Sequence, residues 1–81
     1  MGKLGIIGGN AIIRIYVNDH NPAHFHVIAP DWAAIVTIAP VAIYRGAMPS
    51  PVWKQVMAWA EDNKLLLVAE WNACNPQYPI K

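Results

Sequence analysis

The sequence predicts an α+β domain: an antiparallel meander of three or four strands packed on a C-terminal helix or helical pair. Three observations carry that expectation. Between Ala11 and Arg45, short runs rich in β-branched and aromatic residues follow one another. The breaks between them, at Asn21-Pro22, Pro30-Asp31 and Pro40, are too short for the crossovers that parallel strands need. After Met48-Pro49-Ser50-Pro51 the apolar spacing turns helical.

The elements follow in order. Leu4 to Ile7 reads as a short edge strand, and Gly8-Gly9-Asn10 as the turn behind it, since glycine supplies positive φ and asparagine tolerates it. Ala11 to Asn18 alternates, with Ile13, Ile15 and Val17 on the core face and Arg14, Tyr16 and Asn18 opposite. Asp19 to Pro22 breaks that strand. His24-Phe25-His26-Val27-Ile28 is the next, with His24, His26 and Ile28 on one face and Phe25 and Val27 on the other. Trp32 to Ile38 and Val41 to Arg45 complete the sheet, with Trp32 expected as the exposed aromatic. Ser50 suits a helix N-cap and Pro51 the first helical position. Val52, Val56, Trp59, Ala60 and Asn63 then recur at helical spacing, away from Lys54, Gln55, Glu61 and Asp62. Asn63-Lys64 marks a kink or a break. Leu65 to Trp71 continues in helix, and Asn75-Pro76 stops it.

Residues 1–81 are expected to form one domain, its core at about 11–75 and its ends looser. Hydrophobic residues make up 56% and charged residues 14%. So weakly charged a surface is consistent with a homodimer or a protein partner. Six basic and five acidic residues lie scattered, with no basic run to bind DNA through charge. RNA handled by a few placed side chains stays open. No apolar run reaches the ~20 residues that cross a bilayer, and the N-terminal stretch lacks a signal peptide's apolar core. A single cysteine, Cys74, fits a reducing compartment, so a cytoplasmic protein is expected. Cys74 itself reads as a buried bystander thiol.

All three histidines, His20, His24 and His26, fall within seven residues. Asp19-His20-Asn21-Pro22-Ala23-His24-Phe25-His26-Val27 resembles the signature of the bacterial domain of unknown function 4160 family. Ile13-Arg14-Ile15-Tyr16, Gly46-Ala47-Met48-Pro49, Trp59-Ala60 and Glu70-Trp71-Asn72 extend the likeness over about residues 11–75. Ala23 and Met48 replace the usual proline and leucine, and Asn63 stands where a helical histidine is common. The resemblance implies no agreed activity. It implies at most a component of a toxin–antitoxin-like module.

Four readings of the cluster follow from its chemistry. In the first, His20, His24 and His26, with Asp19 as fourth ligand or orienting partner, hold a divalent transition metal such as zinc that activates water for hydrolysis. In the second, the histidines act as acid and base in metal-independent RNA cleavage, with Arg14 on the phosphate and Tyr16 two residues along. The third is a non-catalytic binding module using a sheet edge and surface tryptophans. In the fourth, the histidines and the Asp19 and Asn21 side chains merely brace the hairpin.

Overall fold

Two successive glycines reverse the chain after its first strand, Gly8 at φ 60° and Gly9 at φ 84°, a conformation that L side chains resist. The computed structural model describes residues 4–17 and 19–80. Among the described residues, five strands run β1 (Gly5–Ile7), β2 (Ala11–Arg14), β3 (His24–Ile28), β4 (Ala33–Ile38) and β5 (Val41–Gly46). They form one antiparallel sheet in the order β1-β2-β3-β4-β5. Two helices, α1 (Ser50–Asp62) and α2 (Lys64–Cys74), follow. The class and the meander are as the sequence predicts, but five strands replace three or four, because the edge strand before Gly8 pairs fully with β2. The peptide bonds before Pro22 and Pro40 are cis.

The inner sheet face carries Ile13, Phe25, Val27, Val36 and Ile38, all fully buried. Val56 and Ala60 of α1 and Leu67 and Trp71 of α2 close over them. Each fully buried aliphatic or phenylalanine side chain contributes about 1.5–3 kcal/mol of transfer free energy. The helical stripe is as read, and the break falls at Asn63. The Asn63 amide N–H and its side-chain Nδ2 both donate to the Trp59 carbonyl, each at 2.9 Å, so α1 ends there and α2 starts afresh.

Four expectations need correction. Val17 is not in the core: β2 ends at Arg14 and Val17 is 51% exposed, because the chain leaves the sheet to bring Asp19 back over β3. Ser50 makes no side-chain cap. Pro49 occupies the cap position, and its carbonyl accepts the Val52 and Trp53 amides. Trp32 is half-buried against the core, and the exposed aromatic rings are Tyr16, Tyr44 and Tyr78. The segment behind Pro76 is not loose through Ile80. Trp71 Nε1 donates to the Tyr78 carbonyl at 2.7 Å, and the Asn72 amide exchanges two bonds with the Ile80 backbone. Residues 1–3, 18 and 81 lie outside the described residues.

Part of the apolar content does lie on the surface, where Leu65 is 86% exposed with Leu66 and Met57 near it in sequence. Among the described residues no helix is long and apolar enough to cross a membrane.

Candidate metal centre

The site is built where β2 gives way to the loop that enters β3. Asn75, just beyond α2, anchors that loop. Its Oδ1 accepts the Asp19 amide N–H, and its Nδ2 donates to the Tyr16 carbonyl at 2.9 Å. Asn75 is fully buried, so its two bonds fix both sides of the loop against the end of a helix. The sequence marks Asn75 only as a helix stop. The one hint of this second task is an amide, able to donate and accept at once, at the end of an apolar helix.

With its backbone clamped, Asp19 points its carboxylate into the histidine cluster. Asp19 Oδ2 lies 2.9 Å from His24 Nε2 and 3.5 Å from His26 Nε2. Oδ1 accepts the His20 amide at 2.9 Å and lies 3.7 Å from His20 Nε2. All three imidazoles thus turn Nε2 toward one carboxylate. Asp19, His24 and His26 each offer one ligand atom, and the three atoms lie within 4.8 Å of one another. His20 is outside that trio, at the solvent rim, with its side chain 71% exposed.

The rings differ sharply in setting. His24 is 1% exposed, covered by Trp71, whose ring centroid is 5.4 Å away. His26 is on the same side, its ring 5.1 Å from that of His24, and the Tyr16 ring edge packs against it at 4.6 Å. The shared face of His24 and His26 is as the alternation predicts. The deep burial of His24 is not, because it depends on a helix 47 residues further along, at Trp71.

His24 poses an accounting question. Its Nδ1 is 2.7 Å from the Pro22 carbonyl oxygen, which only accepts, so Nδ1 carries a hydrogen. A neutral ring then has a bare lone pair on Nε2, and that atom faces the Asp19 carboxylate. Lone pair and carboxylate require a cation between them, either a second proton or a metal ion. His20 repeats the pattern, with Nδ1 at 3.0 Å from the Asn21 carbonyl and Nε2 toward Asp19. Backbone carbonyls that fix Nδ1–H and free Nε2 are the usual support of metal-binding histidines.

Electrostatics favour the deprotonated forms of Asp19 and His26. For Asp19, burial works against the charged form. The His20 amide, the charge of His24 and hydrogen bonds from His26 and His24 outweigh it and hold the carboxyl below its ordinary 3.8. His26 is pushed below 6.5, first by burial and then by the charge of His24, against the opposing pull of Asp19. At neutral pH the centre therefore offers a carboxylate and a neutral imidazole.

Arg14 pairs with His26 across β2 and β3, so the two share the sheet face opposite Ile13, Phe25 and Val27. The register thus brings Arg14 beside the cluster. Cys74 is away from it, buried, with its thiol 3.5 Å from Glu70 Oε2.

A family model described as domain of unknown function (DUF4160) matches residues 10–72. The chain belongs to the DUF4160 family. The matched segment of this DUF4160 chain holds every residue of the centre from Arg14 to His26 and stops short of the Asn75 clamp. No curated protein and no solved structure matches the chain.

Proposed function

We propose that Asp19, His24 and His26 bind one divalent transition metal ion, with zinc the natural fit for an imidazole and carboxylate set, and that the ion activates water for hydrolysis. The carrying observation is His24: buried, hydrogen-bonded through Nδ1 to a carbonyl, and turning Nε2 to the same carboxylate that His26 faces. Three protein ligands leave an open coordination position, as catalytic zinc sites do, and a bound water there reaches a pKa of about 7. His20 at the rim, its Nε2 free of the backbone, is placed to take the proton that such a water releases. Arg14 is on the same open face to meet an anionic group.

A metal-independent acid–base site fits less well, since the two inner histidines are committed to one carboxylate. The hydrolytic centre would suit the toxin half of a toxin–antitoxin-like pair. That setting is tested by growth arrest on induced expression, lost in His24→Ala.

Calorimetric titration of tag-free, chelator-stripped protein with zinc tests the metal reading. One equivalent is expected to bind, with binding weakened in His24→Ala and lost in Asp19→Asn. Absence of stoichiometric binding to zinc, manganese or nickel ends the proposal.

A further inference from the structure

The open sheet face carries a second feature beside the centre. His26, Ala33, Ala34, Ile35, Arg45 and Gly46 line a shallow depression of about 270 Å³. One wall is a proposed metal ligand and another is a guanidinium. Three pieces of local structure make it. A β-bulge between β4 and β5 pairs Val36 with Ile43 but Ile35 with Arg45, leaving Tyr44 as the extra residue. The slip turns Arg45 onto the face shared by Ile35 and His26; without it that position would fall to Tyr44. Gly46 then ends the strand at φ 80°, where a Cβ would collide with the Ala33 carbonyl oxygen. Only glycine lets β5 close so tightly on β4. The floor is apolar.

Cross-strand pairing sets these groups in one row: Arg14 opposite His26, His26 opposite Ile35, Ile35 opposite Arg45. With neighbouring strands about 4.8 Å apart, the Arg45 backbone is roughly 10 Å from that of His26, so an extended guanidinium and a metal at His26 can grip one small group between them. Charge is segregated to match. The five strands contain two arginines, Arg14 and Arg45, and no acidic residue; Asp19, beside His26, is the proposed ligand that the cation would neutralise, Asp31 is in a turn, and Glu61, Asp62 and Glu70 are on the helices. The Arg45 guanidinium carbon is 5.5 Å from the Tyr44 ring centroid.

We propose that this depression is the substrate pocket of the metal centre and takes a small phosphate ester. The inference rests on the hydrolytic reading above and names its substrate class. Arg45 holds two phosphoryl oxygens in the paired geometry that guanidinium favours, and the leaving group lies on Ala33, Ala34 and Ile35. Water polarised by the cation gives a proton to His20, and its oxygen bonds to phosphorus. The phosphorus–oxygen bond to the alcohol breaks. The electron pair leaves with that oxygen, which takes a proton from solvent at the open mouth of the depression while His20 returns its own to solvent, so one water and one ester give phosphate and an alcohol. The volume falls just below the usual range of ligand clefts, about 300–1,000 Å³, which limits the occupant to a small ester. Two strand arginines make too short a track for a polymer backbone, so the site favours a small ester over RNA.

The test uses manganese-loaded protein and inorganic phosphate. Bound manganese is expected to broaden the phosphorus resonance of phosphate. In Arg45→Ala the phosphate affinity is expected to fall about tenfold, the loss of one charge-assisted contact, at equal manganese occupancy. Arg45 is exposed, so this variant keeps the core. 4-Nitrophenyl phosphate is expected to be hydrolysed by wild type and at least about tenfold less efficiently by Arg45→Ala. Unchanged phosphate affinity in Arg45→Ala, or manganese bound without broadening, overturns the pocket. Tighter binding of a single-stranded oligoribonucleotide than of phosphate, weakened by both Arg14→Ala and Arg45→Ala, overturns the small-ester assignment in favour of RNA. If zinc, manganese and nickel all fail to bind, the metal reading fails. Amide shifts in metal-free protein titrated with phosphate then decide the pocket: shifts confined to Ala33–Ile35 and Arg45–Gly46 uphold it, and their absence overturns it.

Discussion

Asn75→Ala removes the clamp without touching a proposed ligand. Asn75 is fully buried, and its amide satisfies the Asp19 N–H and the Tyr16 carbonyl, 56 and 59 residues away in sequence. Alanine strands both groups. A buried backbone group left without a partner costs about 1–3 kcal/mol. Some recovery through entering water brings the expected loss to about 2–4 kcal/mol. A domain of this size is stable by about 4–12 kcal/mol in all, so the variant should keep a folded baseline but unfold at markedly lower urea. Each kcal/mol lowers the melting temperature by about 4–8 °C at this length, so a drop above about 10 °C is expected. Asn75→Asp keeps the acceptor for Asp19 but turns the donor facing Tyr16 into an acceptor, and should be no better than alanine. Urea unfolding followed by tryptophan fluorescence measures the loss, with an unchanged m-value confirming that it belongs to the native state. Zinc titration of the same variant should show weakened binding, because Asp19 loses its anchor. A stability within about 0.5 kcal/mol of wild type, with unaltered zinc affinity, would refute the clamp.

Three further outcomes follow from the same geometry. Gly46→Ala should destabilise by about 1–3 kcal/mol in thermal melts, since it combines a positive φ with a collision against the Ala33 carbonyl; a melting point equal to wild type would contradict that backbone. Cys74 is held above its ordinary 9.0, first by burial and then by Glu70. Ellman's reagent should therefore react slowly with native protein at pH 8 and fast in denaturant. Above about pH 9 the unfolded thiol ionises while the native one keeps its proton, so stability should fall as pH rises there, by a component absent in Cys74→Ala. Zinc at a hundred times its dissociation constant should stabilise the wild type by about 2.7 kcal/mol, seen as a raised urea midpoint, and leave Asp19→Asn unmoved.

Much of the fold was legible because the signals were local. The β3 alternation, the turn at Gly8-Gly9 and the helical stripe through Val56 and Ala60 each depend on neighbours a few residues apart. The candidate site was half legible. Three histidines beside an aspartate announce themselves in sequence, and strand alternation puts His24 and His26 on one side. What alternation cannot supply is long-range. Val17 sits on the apolar phase of its strand yet is exposed, because β2 ends early to let Asp19 swing inward. His24 is sealed by Trp71, and Asp19 is fixed by Asn75, both from α2. Arg45 reaches the His26 row only through a one-residue bulge, and nothing in Val41 to Gly46 marks where an extra residue enters. Trp32 follows a turn and looks exposed, but tertiary packing covers it.

X-ray absorption at the zinc edge of the one-to-one complex probes the central claim at the atoms concerned. The predicted first shell holds nitrogen and oxygen at about 2.0–2.1 Å, with the multiple scattering of at least two imidazoles, one of which disappears in His24→Ala. An oxygen-only shell without imidazole scattering, or a spectrum indifferent to that substitution, would contradict a metal held between Asp19, His24 and His26.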